Sequence, residues 1–319
     1  MATNSSSINE LLRQINDQVI IVQFLVIFFF SVNMLLIVTF FQRPSFRTSA
    51  RYILFAFMLL SDSFLLIMSN FLLILYYYKM TIPVPFCIVL CMIVFLYGAV
   101  TPITLASMTL ERYVAICMPL RHAELCSTRS TVHCILIIHG IGSIQGVVIL
   151  SLFFASAPLS LYTGNRVCSA DMFLLLTWHS QLRTALSQLY FYITFIIIAF
   201  SYFRIMKVAK AASGQNKKSS QKGLKTVSLH ASQLLLCLIE LWCPFFEAAV
   251  LKQNLMLYVR MKYFNYVMFY VAPRCLSPLI YGLRDETFFL ALKNTIGLGL
   301  IKKILFVGLQ EKKDRVPFQ

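Results

Sequence analysis

Seven long apolar runs constrain this chain more than any other feature of it: Val19 to Phe41, Tyr52 to Tyr78, Phe86 to Cys117, Thr131 to Phe154, Leu186 to Met206, Val227 to Val250 and Tyr263 to Leu283. About 20 apolar residues in α conformation cross the ~30 Å hydrocarbon layer of a bilayer. Inside that layer each backbone N–H and C=O must be bonded within the chain, which leaves helices as the solution for runs of this length. The expectation is an all-α membrane protein, a bundle of seven transmembrane helices. Composition agrees: of 319 residues, 59% are hydrophobic and 13% charged. That is too little polar surface to coat a water-soluble globule.

The net charge of +16 would suit a nucleic-acid partner, but its placement points to a membrane instead. Twenty of the 28 Lys and Arg residues fall on one side of the seven runs. They are Arg43, Arg47 and Arg51; Arg112, Arg121 and Arg129; seven from Arg204 to Lys225; and seven from Arg284 to Arg315. Basic connections face the cytoplasm, so the N-terminus is expected outside and the basic tail inside, near anionic lipids. The division is an extracellular tail 1–18, a seven-span domain 19–283 and a cytoplasmic tail 284–319. The first eighteen residues are polar, so no cleavable leader is expected and the first run itself directs insertion. Asn4-Ser5-Ser6 is a glycosylation sequon on the outer side.

Polar residues inside the runs mark where the bundle does more than span. Asn33, Asp62, Glu240 and Arg274 are costly in hydrocarbon unless they face the interior with a partner. Asp62 lies ten residues past Tyr52 and Arg274 ten before Arg284, so both sit about 15 Å from the cytoplasmic face at 1.5 Å per residue and are candidate partners. Pro102 and Pro244 interrupt helical hydrogen bonding locally. Gly142 and Gly146 form a small-xxx-small face, expected to pack on neighbouring spans, with a homo- or hetero-oligomer seam as the alternative. Val94, Phe95, Gly98 and Ala99 share one face of the third run. After the seventh run, Asp285, Glu286, Thr287, Phe288, Phe289, Leu292 and Lys293 suit a short membrane-surface helix with its acids at the positive end.

Chemistry is scarce. The chain has no His-Glu-x-x-His, Gly-x-Ser-x-Gly, phosphate-cradling loop or Cys/His ligand cluster, so neither an enzyme nor a cofactor is expected. A transporter would favour internal repeats and polar midplane sites, and no repeat is evident. What the sequence does carry is Glu111-Arg112-Tyr113 where the third run ends. An arginine held by an adjacent acid at a helix end can exchange that partner for another, as a switch does.

The stretch from Met108 to His122, with Glu111-Arg112-Tyr113-Val114-Ala115-Ile116-Cys117-Met118-Pro119-Leu120-Arg121, closely resembles the motif of odorant receptors, a branch of the family A (rhodopsin-like) G-protein-coupled receptors. Ser277-Pro278-Leu279-Ile280-Tyr281-Gly282-Leu283-Arg284-Asp285 is similar to the fish-type branch, and Phe200-Ser201-Tyr202-Phe203-Arg204-Ile205 resembles its Ser-Tyr-x-x-Ile. Trp242-Cys243-Pro244 resembles the Trp-x-Pro of many family A receptors.

This resemblance implies an odorant receptor that couples to a heterotrimeric G protein, in the plasma membrane and in the cilia of olfactory sensory neurons. A non-olfactory family A receptor for a small molecule, or a seven-span transporter, is the alternative. The implied switch residues are Glu111, Arg112, Tyr113, Tyr202, Pro278 and Tyr281. The odorant pocket is expected at Val94, Phe95, Gly98, Ala99, Trp242, Phe245, Phe246, Ala249 and Val267. Val94 stands where amine receptors hold an aspartate, and Val271 where opsins hold the retinal lysine, which disfavours both ligand types. The resemblance also implies a sodium site at Asp62 with Thr101 and Ser277, against which the fixed cation of Arg274 competes; the Asp62–Arg274 pair is preferred. Cys87 and Cys168, on the oxidising side, match the family's disulfide, with Cys91 one turn deeper as the competitor.

Overall fold

In a computed structural model of the chain, the described residues are 2–162, 164–173, 175–211, 253–274 and 285–297, with interspersed positions between 221 and 251. Helices α1 (Ala2–Gln42), α2 (Pro44–Arg47), α3 (Ala50–Tyr77), α4 (Val84–Cys117), α5 (Pro119–Leu125), α6 (Thr128–Ser156), α7 (Leu159–Tyr162), α8 (Thr177–Ala211) and α9 (Leu255–Asn265) follow one another. A further helix, α10, covers residues 286–297. Five of these are long and apolar enough to cross a membrane: Ile15–Gln42 within α1, then α3, α4, α6 and Trp178–Ala211 within α8. The sixth and seventh runs fall partly on residues outside the described set; the described positions from 221 to 251 are helical.

Helix α4 is the central strut, packed against α3, α6 and α8, with α1 laid on α3. The two glycines of α6 explain how closely α4 and α6 approach. A methyl group on Gly142 would stand 3.1 Å from Val100 Cγ2, and one on Gly146 would stand 2.8 Å from Met92 Cε. The small-residue face is therefore used inside the chain. Pro102 leaves α4 continuous from Val84 to Cys117.

Polar side chains join the helices where the lipid offers them no partner. Gln23 and Asn70 exchange two amide hydrogen bonds of 2.8 Å between α1 and α3, and deeper in the same seam Asn33 donates to Ser63 at 3.1 Å. Gln145 of α6 donates to Ser187 of α8 at 2.9 Å.

Helix ends depart from the hydropathy reading where polar residues continue a helix beyond the apolar layer. Helix α8 begins at Thr177 rather than Leu186, carrying His179, Gln181 and Arg183 in its first turns. Asn254 caps α9 by accepting from the N–H groups of Met256 and Leu257 at 2.9 and 3.1 Å. That helix therefore starts before the expected Tyr263. It passes into a π-helical turn, Tyr266–Val271.

At the outer end, β1 (Thr81–Pro83) and β2 (Asn165–Val167) pair antiparallel, with Ile82 opposite Arg166. The Cys87–Cys168 disulfide lies beside this ribbon, with a Cα–Cα distance of 5.6 Å. The connection after α6 is thus tied to the start of α4. Cys91 sits 3.8 Å from the Cys168 sulfur as a buried free thiol.

At the inner end α10 docks on the bundle. Its buried positions Phe288, Ala291, Leu292 and Thr295 follow the i, i+3, i+4, i+7 spacing of one helical face. Asp285 caps it, accepting from the N–H groups of Thr287 and Phe288 at 3.1 Å. The same carboxylate pairs with Arg51 and accepts from the Tyr52 hydroxyl.

Candidate functional site: an arginine switch below an outer pocket

Of the residues expected to form a switch, Glu111, Arg112 and Tyr113 lie near the cytoplasmic end of α4, and Tyr202 of α8 borders the same cluster as Tyr113. Glu111 is 8% exposed, and its Oε2 lies 3.5 Å from Arg112 Nε. Its other oxygen, Oε1, is 3.3 Å from Nε2 of His122 on α5. The acid thus holds two basic side chains at once, one on each oxygen. Sequence reasoning did not connect His122 to it, because the two are joined across the helix break at Met118 and Pro119, where no helical periodicity applies. Burial first, then the charge of Glu111 and the neighbouring Cys134, push the Cys126 thiol up at the end of α5.

Beside the acid, Tyr113 packs on Phe200 with ring centroids 5.5 Å apart. Tyr113 and Tyr202 border a cluster built on Phe191, Ile198, Ile205 and Val227, with Leu224 and Ala231 packed against it. Val227 belongs to the sixth run and is fully buried. The seam between α4, α8 and the sixth span is therefore closed below the switch. Pro278 and Tyr281 lie outside the described residues.

One residue here has an exposure that packing does not explain. Leu120, in the first turn of α5, is 98% exposed next to the switch. Its sequence signal is weak, a lone apolar residue between Pro119 and Arg121, outside every apolar run.

Above the switch, Asp62 is fully buried and Thr101 donates to its Oδ1 at 2.8 Å. Oδ2 has no hydrogen-bond partner among the described residues. Arg274, 4% exposed, is close enough for its charge to act on Asp62. Its guanidinium carbon nevertheless sits 3.8 Å from the centre of the Tyr270 ring, and Nη1 donates to the Tyr270 carbonyl. Tyr270 in turn stacks on Tyr266 at 5.2 Å. Thr101, not Arg274, donates the hydrogen bond to the carboxylate. Ser277 and Glu240 lie outside the described residues.

At the outer end, Phe95 meets Phe173 edge to face at 6.0 Å, beside the disulfide cluster of Cys87, Cys91, Cys168, Ile149 and Phe153. A methyl group on Gly98 would meet no atom within 4 Å, so open space borders the α4 backbone there. Val94 and Val267 are half-buried and Ala99 is buried. Trp242, Phe246 and Ala249 are exposed, while Pro244 and Phe245 lie outside the described residues. Glu247 accepts from Asn265 at 2.9 Å, joining the sixth span to α9.

Comparison with known proteins accounts for this layout. Residues 32–281 match the model of the 7 transmembrane receptor (rhodopsin family). The chain is also 41% identical to Odorant receptor 131-2 of Danio rerio over 294 residues, 92% of this chain and 90% of that protein. A five-span core, a disulfide from the top of α4 to the long connection after α6 and an arginine-acid pair at the base of α4 are thus described parts of a seven-span, multi-pass membrane protein, and the chain belongs to the rhodopsin family of seven-transmembrane receptors.

Proposed function

We propose that this chain is an odorant receptor of the plasma membrane of olfactory sensory neurons, which binds a small odorant in the outer half of the bundle and activates a heterotrimeric G protein of the olfactory stimulatory type. The observation that carries the reading is the Glu111–Arg112 pair over a closed seam of α4, α8 and the sixth span. A ligand that binds better to an opened packing shifts the population toward it. Arg112 then leaves Glu111, and Val227 separates from Ile205.

The ligand site is an apolar pocket at Phe95, Gly98, Ala99 and Val267, with Trp242 and Phe246 from the sixth span. The open space beside Gly98 supports this, and such pockets take small, largely apolar molecules oriented by a few polar groups. Asn4 carries an N-linked glycan in this reading, and the basic inner loops lie against anionic lipid. Arg274 supplies a fixed positive charge near Asp62, so agonist response is insensitive to sodium.

Leu120 is the apolar knob that a G-protein α subunit covers. Full burial of a leucine contributes about 1.5–3 kcal/mol, roughly a ten- to hundredfold change in coupling. The test is cAMP accumulation in cells with confirmed surface receptor and an olfactory G-protein α subunit, across amino acids, amines, acids and small hydrophobic odorants. Wild type responds to at least one class, and Leu120→Ala loses about tenfold or more of that response. An unchanged Leu120→Ala response removes the docking role, and silence of surface-confirmed wild type across the panel contradicts the odorant reading.

A further inference from the structure

We propose that His122 is the relief partner of Glu111: when Arg112 leaves on activation, the protonated imidazole takes over the abandoned carboxylate, so that acidification of the cytosol promotes signalling. This rests on the arginine-switch reading above and adds to it a residue and a proton.

The geometry is a shared acid. Arg112 approaches Glu111 Oε2 at 3.5 Å and His122 approaches Oε1 at 3.3 Å, so neither cation has to displace the other. The Glu111 side chain is 7% exposed and the His122 side chain 37%. The acid is shielded while the imidazole reaches cytosolic water and exchanges protons with it. Opening of the bundle withdraws Arg112 and would leave a shielded carboxylate without a counter-ion, a costly arrangement. His122 stays beside it, because α4 and α5 are joined directly through Met118.

The sign follows from counting charges. In the resting arrangement a protonated His122 shares one carboxylate with Arg112, and the two cations repel. In the opened arrangement it has that carboxylate to itself. The proton is therefore held more tightly in the active state, and by linkage protonation favours that state. Activity therefore rises as the pH falls and the imidazole takes up its proton.

The other charged and titratable groups nearby are Arg121 and Glu124 on α5, Cys126 at its end and Cys134 on α6. Arg204 of α8 is the charge on the side of Cys117 at the end of α4, and Arg51 of α3 is held by Asp285. Among the described residues, Glu111 is the hydrogen-bond and ion-pair partner of the imidazole.

His122 acts on Arg112 through Glu111, so it is a positioning residue, and the readout that separates it from a merely structural one is a pH profile. The experiment reconstitutes full-length receptor in lipid nanodiscs with purified heterotrimeric G protein and reads ligand-free nucleotide exchange between about pH 6 and pH 8, spanning the imidazole range. Wild type, His122→Asn, His122→Lys and Arg112→Ala are compared at equal receptor content. The ratio of wild type to His122→Asn cancels the pH dependence of the G protein. That ratio rises roughly three- to tenfold toward acid, as linkage between protonation and activation requires, while His122→Lys is elevated and flat. Coincident wild-type and His122→Asn profiles, or a ratio that falls with acid, overturn the proposal. Exchange by Arg112→Ala equal to wild type at every pH would instead overturn the switch itself.

Discussion

Replacing Cys168 with serine should remove most of the receptor from the cell surface. The Cys87–Cys168 bridge closes a separation of 81 residues, and loss of a native disulfide costs about 2–5 kcal/mol, much of it through the unfolded chain. The bridge also holds β2 against β1 and seats Phe173, which is fully buried against Phe153 at 5.0 Å and reaches Phe95. Losing it would disturb this outer aromatic cluster and the folded state together. Flow cytometry against an N-terminal tag measures the loss, and Cys91→Ser, which keeps the bridge, should remain near wild type. Normal surface display of Cys168→Ser would show that the ribbon and the aromatic cluster hold the loop alone.

A comparable loss should follow Phe288→Ala at the opposite end of the bundle. Phe288 is fully buried among Phe46, Tyr52 and Phe55, with ring centroids 5.4, 6.3 and 5.5 Å away. Truncating a buried phenylalanine to alanine costs about 3–5 kcal/mol. The effect is larger than for Leu290→Ala on the same helix, since Leu290 is 60% exposed. Thermal unfolding of detergent-solubilised receptor should therefore separate the two variants clearly, with Leu290→Ala close to wild type. Equal midpoints would mean that α10 is a passive surface helix rather than a strut against α1, α2 and α3.

These two anchors were legible to different degrees. The cysteine pair could be read because only residues on the oxidising side form stable bridges, and few cysteines of this chain lie there. The surface helix was visible in the spacing of Phe288 and Leu292, but its tie to Arg51 and Tyr52 was not, because sequence distance says nothing about which helix end faces which. The apolar runs gave the spans because bilayer thickness sets their length. They could not give the ends of α8 or α9, where backbone hydrogen bonding continues through polar residues outside the hydrocarbon.

Inside the bundle, burial was readable and direction was not. Asp62 and Arg274 were expected as buried partners, and both are buried, Arg274 at 4% exposure. Its long side chain instead turns along its own helix onto Tyr270, a choice of rotamer that height in the membrane does not determine. The Glu111–Arg112 pair was readable because it is local. His122 and Leu120 were not, since both depend on how α5 folds back after the break at Pro119.

The measurement that bears most directly on the arginine switch is odorant-driven cAMP accumulation in wild type beside Arg112→Ala at matched surface expression. If release of Arg112 from Glu111 couples ligand to G protein, the mutant loses the response by about tenfold or more, the loss of one charge-assisted contact worth roughly 1.5–3 kcal/mol. A response of wild-type size and concentration dependence in Arg112→Ala would contradict it.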